Sequence, residues 1–288
     1  MILVTGATGQ LGRAVVDRLA ERGGPARVAA FVRDAEKAAD LEARGIEVRV
    51  GDYDDVASLR VALSGVDKVL LISGTDEANR IRQHGHVVDA ARRAGVRLLA
   101  YTGRAMRDPA ASENDLMDGH FKTEALIRES GLAYALFRNA LYMETLPRFV
   151  GQGETFADDI RLPAGLGKVA YALRTELGEA IANVLLQDND AEDRVYTLTA
   201  AEAWSFDDVA RTLADLSGRP VTYTPIDRAE FEAQMRDRGV PEPMARRIYG
   251  FYCDIRDGQL DEVTPELESL LGRPPASLEA GLKALFPV

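Results

Sequence analysis

Cysteine is almost absent. Cys253 stands alone in 288 residues, so neither an internal disulfide nor a multi-cysteine zinc site is available, and a reducing cytoplasm is the expected setting. Basic charge is short as well. Thirty-five Lys and Arg face 46 Asp and Glu, a formal net charge of −11, which repels phosphate backbones and anionic membranes and leaves a nucleic-acid binder no basic footprint. Long apolar runs are missing: no stretch approaches the ~18 residues that a membrane-spanning helix needs. Met1 to Gly6 carries no basic segment ahead of its short apolar run and reads as a strand, not a leader. Histidines number three; His84 and His86 lie two apart without a carboxylate-rich partner set, so no metal site is expected. Cys253 has no sequence-local activating signature and is not expected to be a catalytic thiol. Against these absences, 46% hydrophobic and 28% charged residues suffice for one or two globular domains.

What is present is alternation. Short β-branched runs at 2–4, 28–32, 46–50, 69–72, 98–101 and 134–137 read as strands, with helical patterns between them. Leu11, Val15, Val16 and Leu19 form a stripe suited to packing on a sheet, closed by Gly23-Gly24-Pro25. A later helical pattern over 87–94 ends at Gly95. Strand, helix and strand at this spacing imply right-handed crossovers and a parallel sheet covered on both faces, an α/β, doubly wound, Rossmann-type fold. Residues 1–150 are expected to form the NAD(P)-binding domain. Residues 151–288 are expected to form a smaller, mostly helical substrate lobe, with part of roughly 168–200 packing back on the first sheet. Within that lobe, 169–173 reads as a strand, Thr175 as the cap of a helix running to about 187, and 195–199 as another strand. Ser205-Phe206-Asp207-Asp208 has the spacing of a capping box, opening a helix that Gly218 ends.

Gly6-Ala7-Thr8-Gly9-Gln10-Leu11-Gly12 follows the first strand and opens the first helix. Gly6 allows a tight turn, Gly9 lets backbone approach a pyrophosphate, and Gly12 lets helix and strand pack closely. The helix start adds orphan N–H groups and a positive dipole. In strand–turn–helix context this predicts a dinucleotide site made of Gly6, Thr8, Gly9, Gln10, Leu11 and Gly12. About twenty residues on, where an acid would hold a ribose 2′-hydroxyl, stands Arg33, with Lys37 one turn further. Cations suit a 2′-phosphate, so NADP(H) is favoured over NAD(H); Asp34 offers the competing ribose contact. Asp52 and Tyr53, after the third strand, are placed to bracket the adenine, with a plain acidic loop as the other reading. Ser73 and Gly74, after the fourth strand, are expected beside the cofactor ribose. Asn139, after the sixth, opens the substrate side, where Tyr142, Met143 and Phe149 offer an apolar wall for a flat acceptor. Ordinary packing is the other reading for each of these strand-end residues, and the preferred one for Met143 and Phe149.

The segments GATGQLG, FVRDAEKA, GDYDD, KVLLISG, RLLAYTG, HFKTEALI and LFRNALY together resemble the NmrA-like branch of the atypical short-chain dehydrogenases/reductases, and within it the type-two quinone oxidoreductases and triphenylmethane reductases. The resemblance runs from Met1 to the closing LEAGLKALF. It implies the same fold and cofactor class, and it places Thr102 where relatives hold a Ser or Thr near the nicotinamide. In ordinary members of that superfamily a Tyr four residues before a Lys donates the proton to a carbonyl oxygen. Here the residues four before Lys37, Lys68, Lys122, Lys168 and Lys283 are Arg33, Ser64, Asp118, Ala164 and Glu279, so no such pair exists. Aligning on Glu124, the glutamate that usually follows the Lys by one helical turn, puts His120 at the Lys position and Leu116 at the Tyr position. An isolated ketone would build an alkoxide without a proton donor; a quinone or a delocalised dye cation spreads or cancels the charge left by hydride. The resemblance therefore implies an NADPH-dependent reductase acting on a quinone or another extended conjugated electrophile, a dye or an aromatic natural product. His120, Thr102 and Asn139 are its catalytic candidates. His120 is expected in the cleft, titrating near neutral pH, with a histidine simply satisfied at a helix start as the other reading, while Lys122, two residues on, is expected to face solvent. The alternative is a non-catalytic NmrA-like regulator that senses NAD(P)(H) and acts through protein partners. A small conjugated acceptor is the expected partner, nucleic acid and membrane are not, and the oligomeric state is left open, a homodimer included.

Overall fold

The computed structural model describes residues 1–111, 115–151, 158–187 and 193–286. Its strands, in chain order, are β1 (Ile2–Thr5), β2 (Val28–Val32), β3 (Glu47–Val50), β4 (Lys68–Ile72), β5 (Leu98–Arg104), β6 (Ala133–Asn139), β7 (Asp159–Leu162), β8 (Lys168–Val169), β9 (Arg194–Leu198), β10 (Trp204–Ser205) and β11 (Thr222–Pro225). The helices are α1 (Gln10–Gly23), α2 (Ala39–Ala43), α3 (Val56–Ala62), α4 (Arg80–Ala94), α5 (Asp115–Glu129), α6 (Leu146–Val150), α7 (Arg174–Leu185), α8 (Phe206–Ser217), α9 (Arg228–Asp237), α10 (Glu242–Arg256), α11 (Glu266–Leu271) and α12 (Leu278–Leu285).

Seven strands share one sheet in the order β3-β2-β1-β4-β5-β6-β9. β1 pairs in parallel with β2 and β4, β2 with β3, and β4 with β5. Every residue of β1 and β2 is buried, which is why both appear in the sequence as unbroken apolar runs rather than as alternation. The chain builds outward from β1 to β3 and then returns to lay β4 on the other side of β1. That reversal makes β1 and β4 the switch point of the sheet, where ligands of such folds bind beyond the strand C-termini.

The predicted stripe of α1 is buried at Leu11, Val15, Val16 and Leu19. Against α1 lies α7, so closely that a Cβ on Gly178 would stand 2.6 Å from the Ala14 Cβ. Lys68 is buried and donates from Nζ to the carbonyls of Leu185 (2.9 Å) and Gln187 (2.7 Å), satisfying acceptors that α7 leaves open at its end. Two predicted starts differ. α4 begins at Arg80, ahead of the expected 87, because its first turn carries Arg80, Arg82, Gln83 and His84 in place of an apolar stripe. α7 begins at Arg174, so Thr175 lies inside its first turn instead of capping it. The strand expected over 169–173 shrinks to β8, and an isolated bridge between Tyr142 and Ala172 takes up its far end.

The sequence predicts a boundary near 150 with part of roughly 168–200 returning to the first sheet; the chain forms two units whose segments interleave along the sequence. The first contains Met1–Arg104, Gly119–Arg138 and Arg174–Thr197, and the second Ala105–Asp118, Asn139–Leu173 and Leu198–Val288. The second unit pairs β7 with β11 in parallel and β8 with β10 antiparallel. Its core gathers Met143, Tyr171, Phe206, Leu213, Ile255 and Leu282, all nearly or wholly enclosed. The Ser205 capping box and the Gly218 terminus of α8 form as their residues predict. No helix among the described residues is long and apolar enough to cross a membrane.

Candidate active site

The turn after β1 is built by glycine geometry. Gly6 takes φ +58°, a conformation that L side chains rarely adopt, and its carbonyl accepts the Gly9 N–H at 2.9 Å. A Cβ on Gly12 would stand 2.2 Å from the Gly6 oxygen and 2.9 Å from the Ala7 Cα, so backbone itself forbids a side chain there. Gly6, Thr8, Gly9 and Gln10 are exposed, whereas Ala7 and Leu11 anchor the turn inward. α1 then begins with no side-chain cap and no acid in its first turn. Asp55, Ser205, Asp227 and Ser277 cap α3, α8, α9 and α12, whereas α4, α10 and α11, like α1, start without a side-chain cap. The orphan N–H groups of α1 are thus left open beside a side-chain-free turn, a cradle that fits a dinucleotide pyrophosphate.

Beyond β2, Arg33 is exposed and makes no ion pair among the described residues. Asp34 is engaged in its own turn: Oδ1 accepts the Glu36 N–H at 3.0 Å and Oδ2 lies 3.8 Å from Lys37 Nζ. Arg33 is therefore a cation without an ion-pair partner among the described residues, at the end of β2. Asp52 Oδ1 accepts the Asp54 N–H at 2.8 Å and holds its loop. The Tyr53 hydroxyl turns inward to Thr5 Oγ1 and the Ile72 carbonyl, and its ring stacks on Phe31 at 6.1 Å. Burial pushes the phenol well above its usual pKa. Tyr53 thus ties the ends of β1 and β4 together, and any adenine contact falls to its ring.

At the ends of β4 and β5, a hydrogen-bond cluster replaces what sequence spacing alone suggested. The buried Thr102 hydroxyl accepts the Ser73 N–H at 3.1 Å. Gly74 donates its N–H to His84 Nε2 at 3.1 Å, so the His84 proton sits on Nδ1 and goes to Thr123 Oγ1 at 2.9 Å, and Thr123 in turn donates to the Gly119 carbonyl at 2.8 Å. His84 is fully enclosed and meets the Tyr101 ring edge-on at 5.6 Å. The Tyr101 hydroxyl hydrogen-bonds to His120 Nδ1 at 3.0 Å. Burial, with Arg80 nearby, holds His84 down at about 3. Burial first, then Arg80, Arg104 and His84, hold His120 well below its usual value, which corrects the expected titration near neutrality: His120 is neutral at pH 7. Burial pushes the Tyr101 phenol up to about 12. Lys122 is exposed, as its offset from His120 predicts.

The second unit holds the remaining candidates. Asn139 is fully buried, its backbone carbonyl accepts the Ala105 N–H at 2.8 Å, and neither side-chain amide atom has a hydrogen-bond partner among the described residues. An orphaned buried amide is costly unless something satisfies it. Tyr142 is half-buried. Met143 is wholly enclosed, its sulfur occupying the space that a Cβ on Gly281 would need; it offers a ligand no surface and is core, not wall. Phe149 is half-buried among the rings of Phe206, Phe251 and Tyr252. Arg138, in the first unit, forms a two-pronged pair with the buried Glu124 at 2.9 and 2.7 Å. No His, Cys, Asp or Glu cluster that could hold a metal occurs among the described residues.

Sequence reasoning missed Arg80, His84, Tyr101 and Thr123. The one local signal was Tyr101 beside Thr102, two polar-tipped residues ending an apolar strand; the rest meet only in space.

Comparison with known proteins gives a consistent neighbourhood. Quinone oxidoreductase 2 of Escherichia coli is 36% identical over 292 residues, covering 100% of this chain and 99% of the relative. The crystal structure of the E. coli NADPH-dependent quinone oxidoreductase in complex with NADPH superposes with a TM-score of 0.90 at 35% identity, covering 99% of each chain. The Citrobacter triphenylmethane reductase complexed with NADP(H) gives 0.88 at 37% identity, covering 99% of this chain and 100% of the other. The model of the NmrA-like family matches residues 1–270, and the chain belongs to that family.

Proposed function

We propose that this chain is an NADPH-dependent oxidoreductase that transfers hydride to a quinone or another extended conjugated electrophile such as a dye. The observation that carries the reading is the bare, side-chain-intolerant cradle at the head of α1, in a chain with no Tyr-x-x-x-Lys pair. Gly6, Thr8, Gly9, Gln10, Leu11 and Gly12 would hold the pyrophosphate; Arg33 and Lys37 the 2′-phosphate; Asp52 and Tyr53 the adenosine end. Ser73, Gly74 and Thr102 would shape the floor beside the nicotinamide. The bound dinucleotide supplies the two electrons and the hydrogen. His120, kept neutral by its surroundings, is a hydrogen-bonding group and not a proton store, so solvent provides the final proton. Asn139 supplies an amide for ligand or cofactor, with Tyr142 and the edge of Phe149 beside it in sequence as acceptor contacts. A small aromatic acceptor in a reducing cytoplasm completes the picture.

The test is direct. Purified protein is mixed with NADPH or NADH and a panel of benzoquinone, naphthoquinone and triphenylmethane dyes while the reduced-cofactor absorbance is followed. Turnover with NADPH is expected. Tight dinucleotide binding without oxidation across the panel would favour the sensing regulator. Arg33→Ala should weaken NADPH binding by about tenfold or more, the loss of a charge-assisted contact, and leave NADH binding nearly as it was; equal losses would remove Arg33 from the 2′-phosphate site.

A further inference from the structure

Among the described residues, two cations are buried in the first unit, and they are treated differently. Lys68 is 6% exposed and engages two carbonyls at the end of α7. Arg80 is 7% exposed, and its one hydrogen bond runs from Nε to the Gly74 carbonyl at 3.1 Å. Neither Nη makes a hydrogen bond, and no carboxylate pairs with the guanidinium, among the described residues. Burying an unpaired charge is expensive, so a cation kept this way needs a reason beyond packing.

Its position supplies one. Gly74 follows β4, one of the two strands at the switch point, and the Nη1 of Arg80 would stand 2.9 Å from a Cβ on Gly119, the residue before His120. The guanidinium therefore lies between the end of β4 and the helix that carries the residue at the old lysine position, on the side of the sheet where ligands bind. The charge of Arg80 acts on His84, Tyr101 and His120, each uncharged at neutral pH, while the nearby buried Glu124 is already paired with Arg138.

Resting on the reductase reading, we propose that Arg80 is a catalytic residue that stabilises the negative charge appearing on the acceptor oxygen of a quinone. Hydride leaves the reduced nicotinamide dinucleotide with both electrons, a new bond to hydrogen forms on the quinone, the dinucleotide becomes oxidised, and the acceptor becomes a hydroquinone monoanion. That anion then takes a proton from solvent. Arg80 faces the oxygen while it carries the charge, a fixed positive group where charge develops. A cationic triphenylmethane dye loses its charge when hydride arrives and makes no oxyanion, so Arg80 gives its reduction no comparable help.

Arg80→Gln tests this through the difference between acceptors. With benzoquinone, kcat should fall by about 100-fold, the usual loss of one oxyanion partner, while NADPH affinity and the thermal midpoint stay near those of the wild type. The loss with benzoquinone should exceed the loss with crystal violet by at least about tenfold. A second readout needs no turnover. In the presence of NADP⁺, wild-type protein should lower the apparent pKa of para-nitrophenol, seen in the phenolate absorbance, and Arg80→Gln should abolish that shift. Equal losses with both acceptors, or a nitrophenol titration that is the same in the two proteins, would overturn the proposal. Absence of turnover by the wild type with every acceptor would instead strike the reductase reading, and the nitrophenol comparison would still decide Arg80.

Discussion

Two helices of similar length begin in opposite ways. α8 opens with Ser205 Oγ accepting the Asp208 N–H at 3.1 Å, the Asp208 carboxylate returning to the Ser205 N–H at 2.9 Å, and two acids in its first turn. α1 opens on Gly9 with no cap and no acid. A serine cap is worth about 1 kcal/mol, so α1 forgoes stabilisation that the same chain secures at α8. The difference lies in what each start leaves available: α8 closes its own N–H groups, while α1 leaves its donors open beside a turn that tolerates no side chain, the feature on which the proposed pyrophosphate site rests. The contrast extends inward, since Gly12 lets the first turn of α1 touch the backbone of the preceding loop.

Removing that close approach should have the largest effect. Gly12→Val places atoms against the Gly6 carbonyl and the Ala7 backbone, neither of which can swing aside. Overpacking of this kind costs about 1–3 kcal/mol even where side chains can adjust. The expected outcome is a lowered thermal midpoint and dinucleotide binding too weak to detect by cofactor fluorescence. Native affinity in this variant would mean that the cradle is not where the pyrophosphate sits.

A smaller change would make α1 resemble α8. Gly9 already has the extended backbone of an N-cap (φ −77°, ψ 164°), and Asp227 shows an aspartate capping α9 in this chain. Gly9→Asp should alter stability by only a few tenths of a kcal/mol, the usual gap between glycine and a good cap, yet lower NADPH affinity by about tenfold or more, because the carboxylate competes for the donors and repels phosphate. Gly9→Asn, a cap without charge, should lose less. If both variants bind NADPH like the wild type, the open helix start has no ligand-binding role.

The part of the site that these variants probe is the part most legible in the sequence. β1, the glycine turn and the stripe Leu11, Val15, Val16 and Leu19 are contiguous, and each obeys a local rule: buried strand, positive φ, helical period. The start of α4 was hidden because Arg80 to His84 face polar partners, so no apolar period announces them. His84, Tyr101, Thr123 and His120 belong to four segments that meet only once β4 and β5 lie side by side with α4 and α5 against them. No spacing along the chain encodes that. The neutral state of His120 follows from burial and two arginines, which no isolated helix pattern contains. Met143 is readable as either wall or core from its place after a strand end; what decides for core is the missing side chain of Gly281, far along the chain, which admits its sulfur.

The smallest expected effect completes the comparison from the other side. Ser205→Ala removes the hydroxyl that accepts the Asp208 N–H and also hydrogen-bonds to the Asp208 carboxylate at 2.7 Å. The helix loses one donor–acceptor match at its first turn, while Phe206, Val209, Ala210 and Leu213 keep their buried places. The cost should be about 1 kcal/mol, read as a lower urea midpoint with unchanged slope, and NADPH affinity should match that of the wild type. The opposite pattern, stability retained and dinucleotide binding lost, would make the head of α8 a ligand element like that of α1.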